Sequence, residues 1–208
     1  MDVSIVDYDA GNLHSLANAV GWAGGNPKVV RTADEIAAAD RIILPGVGAA
    51  GPALRRLRER HLDEALTECV LRRGVPLLGI CLGMQILADE LTEFGNSKGL
   101  GWLRGRVVHI RTLAPNVKRV PHTGWSSLQV EPAWAAAFGG IGSSSQFYFS
   151  HSYALQTAED ETVVARTSYG TSIAAAVIRD NIAATQFHPE ISQKAGRRLL
   201  SSFLSWRP

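Results

Sequence analysis

The first half of the chain alternates short runs rich in β-branched and other apolar residues with longer stretches whose apolar positions recur at helical spacing. Residues 3–8, 28–31 and 41–44 read as strands. A helix follows Asn12, with Leu13, Leu16, Ala17 and Val20 on one face and an end near Gly21. Thr32-Ala-Asp-Glu35 has the spacing of a capping box and opens a short helix. After Pro45-Gly-Val-Gly48, the pattern predicts helices over 53–60 and 62–72, an apolar strand from Val75, and a helix over 82–91. Repeated strand–helix units with continuously apolar strands predict a mostly parallel sheet covered by helices on both faces. In such sheets, ligands collect at the carboxyl ends of the strands.

The second half is richer in strands, expected at 106–111, 127–130, 146–150 and 162–167. Residues 173–187 read as two apolar strands joined at Asp180-Asn181, which both tolerate positive φ. These predict antiparallel strands added to the parallel core. Residues 139–145 read as a loop, and a closing helix over 193–206 sets Leu199, Leu200, Phe203 and Leu204 against Lys194, Arg197 and Arg198. A length of 208 residues fits one α/β domain over 1–208.

Charge and cysteine usage narrow the function. A formal net charge of +2 carries no strong field, and Arg55-Arg-Leu-Arg-Glu-Arg60 reads as the solvated face of a helix, so no nucleic-acid partner is expected. No run approaches the ~20 apolar residues that cross a bilayer, and the amino terminus resembles a strand instead of a signal segment. The expectation is a cytoplasmic protein with no membrane partner. Two cysteines make no disulfide framework. Cys69 sits at helical packing spacing, which leaves Cys81 as the candidate for chemistry.

Cys81 lies in Gly79-Ile-Cys-Leu-Gly83, between a strand and a helix, the layout of a nucleophile elbow. Near the other end, Gln186-Phe-His-Pro-Glu190 follows an apolar strand and brings His188 and Glu190 two residues apart. A thiol needs a base to take its proton, and the imidazole needs a carboxylate to hold its tautomer. The N–H of Leu82 heads the elbow helix and can face an oxyanion, with a second donor available from Pro45-Gly-Val-Gly48. Taken singly, each motif has a plain reading: a packed cysteine, a turn with a surface carboxylate, an ordinary loop. All three fall at predicted strand ends of one sheet, and that favours a shared cleft. His14 and His61 read as surface residues and His109 as structural, while His122 and His151 divide between structure and an interface or substrate role. No His/Cys/Asp spacing suits a metal and no glycine-rich turn suits a phosphate, so neither metal nor cofactor is expected.

These motifs resemble those of class I, triad-type glutamine amidotransferases. Within that family, the chain is similar nearly end to end to the glutaminase subunits of imidazole glycerol phosphate synthases. Val6-Asp-Tyr-Asp-Ala-Gly-Asn12, Leu44-Pro-Gly-Val-Gly48, Gly79-Ile-Cys-Leu-Gly-Met-Gln85, Pro121-His-Thr-Gly-Trp125, Phe147-Tyr-Phe-Ser-His-Ser-Tyr153 and Gln186-Phe-His-Pro-Glu190 carry the likeness. The resemblance implies a flavodoxin-like three-layer sandwich with Cys81, His188 and Glu190 as the triad. It implies that Gln85 and the main chain at Gly48, Ser150, His151 and Ser152 hold glutamine. The oxyanion hole would draw on Leu82 and on Val47 or Gly48, whose orientation would answer to the partner. Trp125 and His122 would face that partner, a (β/α)₈-barrel cyclase/synthase subunit, which would receive the ammonia in histidine biosynthesis. The chain departs from the usual pattern at Asp9, Ser126 and Ile191. A paralogue feeding a related barrel in another pathway, such as sugar amidination, and a non-catalytic interaction subunit are the alternatives.

Overall fold

The structure, a computed structural model, describes residues 1–139 and 141–208. Its largest sheet has eight strands, in the order Asn26–Val30, Asp2–Val6, Ile42–Leu44, Leu77–Ile80, Ile182–Thr185, Ser172–Arg179, Val163–Ser168 and Gln129–Val130. The first five pair in parallel and the last three are added antiparallel, as the pattern predicted. Asp180 turns the expected hairpin at φ 51.

Alternate residues of the central strands feed opposite cores, the consequence of a two-residue side-chain period. Ile42, Leu44 and Leu77 pack with Leu54, Leu57 and Leu66 of the helices Ala50–Glu59 and Leu62–Thr67. Ile43, Leu78 and Ile80 pack with Leu16 and Val20 of Leu13–Trp22 and with Leu199, Leu200 and Phe203 of Gln193–Ser205. Each fully buried side chain of this size contributes about 1.5–3 kcal/mol, so both helical layers are firmly attached. Thr32 and Glu35 form the capping box reciprocally. In Ala50–Glu59, Arg55, Arg56 and Arg58 face solvent over buried Leu54 and Leu57, and no helix among the described residues is long and apolar enough to cross a membrane.

Several expectations are corrected. The helix expected over 82–91 stops after Leu82–Gln85, and Ala88–Leu91 is a strand. Ile86, Leu87 and Ala88 are buried, and their carbonyls accept from the amides of Leu100, Trp102 and Gly101 instead of from a next helical turn. The helix expected over 62–72 ends as a π-helical turn, Glu68–Arg72. The strand expected at 106–111 spans Leu103–His109 and gives way to a short helix, Ile110–Leu113. The strand expected at 127–130 is two strands, His122–Ser127 and Gln129–Val130. His122–Ser127 escaped the pattern because polar residues fill it, and it pairs with Gln146–His151 in a two-stranded ribbon. Tyr153–Thr157 also went unseen and joins Leu103–His109, Ala88–Leu91 and Ser97–Lys98 in a third sheet. The loop expected at 139–145 includes Gly140, which lies outside the described residues.

Candidate active site

Parallel pairing of Leu77–Ile80 with Ile182–Thr185 sets Thr185 opposite Ile80, so the residues that follow each strand emerge side by side. The Cys81 amide donates to the Thr185 carbonyl at 2.7 Å, and the Cys81 carbonyl accepts from Met84 and Gln85 at 3.0 and 3.1 Å. Between these ties Cys81 adopts φ 52, ψ −105, a conformation that costs a non-glycine residue about 1–3 kcal/mol. Gly83 permits the close packing: a Cβ there would lie 1.9 Å from the Leu44 carbonyl oxygen. The constraint on Gly83 therefore comes from the neighbouring strand, Ile42–Leu44. Because the helix after Cys81 is one turn long, its macrodipole adds less than a full helix would.

His188 follows Ile182–Thr185, and its Nδ1 donates to Glu190 Oε1 at 2.8 Å, with both side chains buried. Residues two apart on an extended strand point to the same face. Instead Ile191 N–H donates to His188 O at 3.2 Å and closes a turn that folds Glu190 back onto the ring. The imidazole shares its cavity with Cys81. Burial pulls its pKa down, but the hydrogen bonds and charges of Cys81 and Glu190 outweigh that and push it up to about 10.

A cavity of about 340 Å³ opens over these groups at the carboxyl ends of the strands. Val47, Gly48, Cys81, Leu82, Gln85, Glu93, Pro121, Ser150, His151, Ser152, Tyr153 and His188 line it. Glu190 stands behind His188. Gln85 donates from Nε2 to Tyr153 O at 2.9 Å and to Gln186 Oε1 at 3.1 Å. His151 lines the cavity but has no free ring nitrogen, since Nδ1 donates to Tyr153 O at 2.8 Å and Nε2 meets His122 Nδ1 at 3.0 Å. What it can offer a ligand is its main chain.

His122 is not on the surface. It is 2% exposed, stacked between Phe149 and Tyr169, and bonded through Nε2 to Ser126 Oγ at 2.9 Å. One strand carries both His122 and Trp125, and their odd spacing sends them to opposite faces. Trp125 is 44% exposed, with its ring edge against Tyr148. The Leu82 N–H is already engaged, donating to Gly46 O at 3.3 Å, while Val47 is 48% exposed and Gly48 has φ +92. Sequence reasoning passed over three groups. Glu93 lines the cavity from a segment without a motif, whereas Tyr153 and Gln186 stand in quoted motifs and were read only as part of them. Cys69 is buried with Sγ on Ile36 O, as its packing role required.

Residues 4–205 match the family described as glutamine amidotransferase class-I. The chain is 43% identical to a Zymomonas mobilis protein named imidazole glycerol phosphate synthase subunit HisH, over 99% of this chain and 96% of the relative. It is 44% identical to a Cereibacter sphaeroides protein of the same name, over 98% of each. A solved structure described as a glutamine amidotransferase superposes with a TM-score of 0.76 at 23% identity, covering 98% of this chain and 97% of the other. A structure described as PurLQS from Thermotoga maritima also gives 0.76, at 24% identity and the same coverage. These two likenesses speak for the fold. A family match that runs almost the whole length, together with relatives above 40% identity aligned nearly end to end, means that the chain belongs to the class-I glutamine amidotransferases.

Proposed function

We propose that this chain, acting as one domain, is the glutaminase subunit of an imidazole glycerol phosphate synthase and supplies ammonia for histidine biosynthesis. The observation that carries the chemistry is Cys81, at positive φ, lining one cavity with an imidazole whose Nδ1 is held by Glu190. The relatives' shared name supports the pathway.

In this reading Cys81 Sγ, its proton held on His188, attacks the carboxamide carbon of glutamine. The carbonyl π pair moves to oxygen, and collapse of the adduct breaks the C–N bond as His188 delivers its proton to the leaving nitrogen. Ammonia departs and a thioester remains. Water then gives a proton to His188 and attacks the thioester, and glutamate leaves as the thiol is restored. Glu190 keeps Nδ1 protonated and offsets the imidazolium charge throughout. Among the lining residues, Glu93 is the one carboxylate, suited to the substrate's ammonium group. The main chain of Ser150, His151 and Ser152 and the Gln85 amide complete the cradle.

Oxyanion stabilisation requires free donors, and Leu82 N–H is held by Gly46 O. Turning the Gly46–Val47 peptide would release Leu82 and bring the Val47 N–H toward the site. Val47 and Trp125 are both exposed, and in this reading contact with a (β/α)₈-barrel synthase subunit drives that turn. Both cysteines are free, as a reducing cytoplasm would keep them. The test is glutamine hydrolysis by the isolated chain and after addition of the barrel with its nucleotide ligand. We expect a rise of about 10²-fold or more, the scale of one oxyanion donor. A rate indifferent to the barrel, or full hydrolysis by Cys81→Ala, would refute the reading.

A further inference from the structure

A second amide side chain meets the sulfur. Gln186 is fully buried, 105 residues from Cys81 in sequence, and its Nε2 lies 3.6 Å from Cys81 Sγ. The orientation of that carboxamide is determined by its neighbours. The Tyr153 carbonyl can only accept, so Gln85 must present its NH₂ to it at 2.9 Å. The same NH₂ donates to Gln186 at 3.1 Å, which puts Oε1 of Gln186 on that side. Flipping Gln186 would set NH₂ against NH₂ and an oxygen against the sulfur. Its N–H group is therefore directed at Sγ, and no rotation improves on this arrangement.

The backbone holds the group in place. Gln186 N–H donates to Ala175 O at 2.9 Å, and the preceding Thr185 accepts from the Cys81 amide. Gln186 thus departs from its strand immediately beside the elbow. A donor aimed at sulfur bonds more strongly to a thiolate than to a thiol, because charge-assisted hydrogen bonds are about twice as strong as neutral ones. His188 is the proton acceptor on one side of the sulfur, and Gln186 is a fixed, uncharged donor on another.

We propose that Gln186 is a further catalytic residue, whose carboxamide N–H holds the Cys81 thiolate and aims it into the cavity. The inference rests on Cys81 being the nucleophile. It assigns Gln186 a contact with the reacting atom, and it assigns the Gln85–Tyr153 pair the task of orienting that contact.

The experiment measures alkylation of Cys81 by iodoacetamide against pH in the full chain, by mass spectrometry with buried Cys69 as the internal reference. Gln186→Met removes the donor without adding charge. Gln186→Glu keeps an acceptor for Gln85 but turns an oxygen toward the sulfur. In both, the alkylation profile should move to higher pH, with labelling at neutral pH slowed about tenfold or more, the scale of a lost hydrogen bond to a charged acceptor. In the complex with the synthase, kcat should fall while KM holds. Profiles that coincide with the unaltered protein in folded variants would overturn the proposal. Should both variants unfold, the unaltered protein decides. The Gln186 side-chain amide protons, assigned by triple-resonance connectivity, should shift when Cys81 ionises and revert on alkylation, and no shift would overturn it. Failure of the glutaminase reading registers separately, as hydrolysis retained by Cys81→Ala.

Discussion

The main-chain N–H of His188 donates to the carbonyl of Tyr148 at 2.9 Å. This bond stitches the imidazole's backbone to the two-stranded ribbon, and Ser192 Oγ reinforces the seam by accepting from Tyr148 N–H and donating to His188 O. Directly across the ribbon from Tyr148 is Trp125. A contact made at the exposed Trp125 ring is thus one residue pair away from the main chain of the candidate base. Trp125→Ala should weaken binding of the synthase subunit by about tenfold or more, as half-exposed aromatic anchors do, with little change in unfolding temperature. Calorimetric titration checks this, and undiminished affinity would remove Trp125 from the interface.

Glu190→Gln tests the charge behind the imidazole. The substitution is nearly isosteric, so Nδ1 keeps an acceptor, but the imidazolium loses its counter-charge. We expect kcat with the synthase present to fall about 10²-fold or more, with a smaller effect on KM, by analogy of role with other triads. Equal losses in binding and turnover would instead point to a collapsed pocket.

The buried histidines give stability an acid limb. Burial pushes His122 down to about 4 and His151 down to about 3. Unfolded, each binds a proton below about 6.5. Between those values the unfolded chain holds protons that the folded chain refuses, so stability falls as pH drops from about 6.5 toward 3. His188, raised to about 10, works in the opposite sense: its contribution is complete below about 6.5 and disappears as pH rises through about 10. The unfolding temperature should therefore peak near neutrality, with an acid-side loss of roughly 10 °C or more. Imidazole resonances of His122 and His151 that titrate near their ordinary value would contradict this.

Two glycines separate steric from conformational need. Gly83→Ala would drive a methyl group into the Leu44 carbonyl at 1.9 Å, whereas Gly48 has open space but φ +92. Gly83→Ala should cost about 3 kcal/mol or more, or prevent folding, as overpacking against rigid backbone does. Gly48→Ala should cost only about 1–2 kcal/mol from its backbone conformation while altering the response to the synthase. Denaturant unfolding of the two proteins side by side decides, and equal losses would defeat the distinction.

Much of the molecule was legible along the chain. Apolar periodicity disclosed the parallel strands and flanking helices, because burial on two faces leaves a continuous apolar run and burial on one face leaves a stripe. The elbow at Cys81 and the motif at His188 and Glu190 were visible because a strained turn and a histidine–carboxylate pair each demand particular residues at short spacing. What lay beyond local reading were choices between competing partners. The 82–91 segment has helical spacing, yet its carbonyls took the amides of the 99–103 segment. His122 shares a motif with Trp125, yet strand parity buried one and exposed the other. Gln186 became a neighbour of the sulfur only through the register that sets Thr185 against Ile80. Sequence by itself determined which groups were available for amide chemistry. Only the tertiary structure decided which hydrogen-bonding positions were already filled, because a donor or acceptor is assigned by whatever the fold brings within about 3 Å of it.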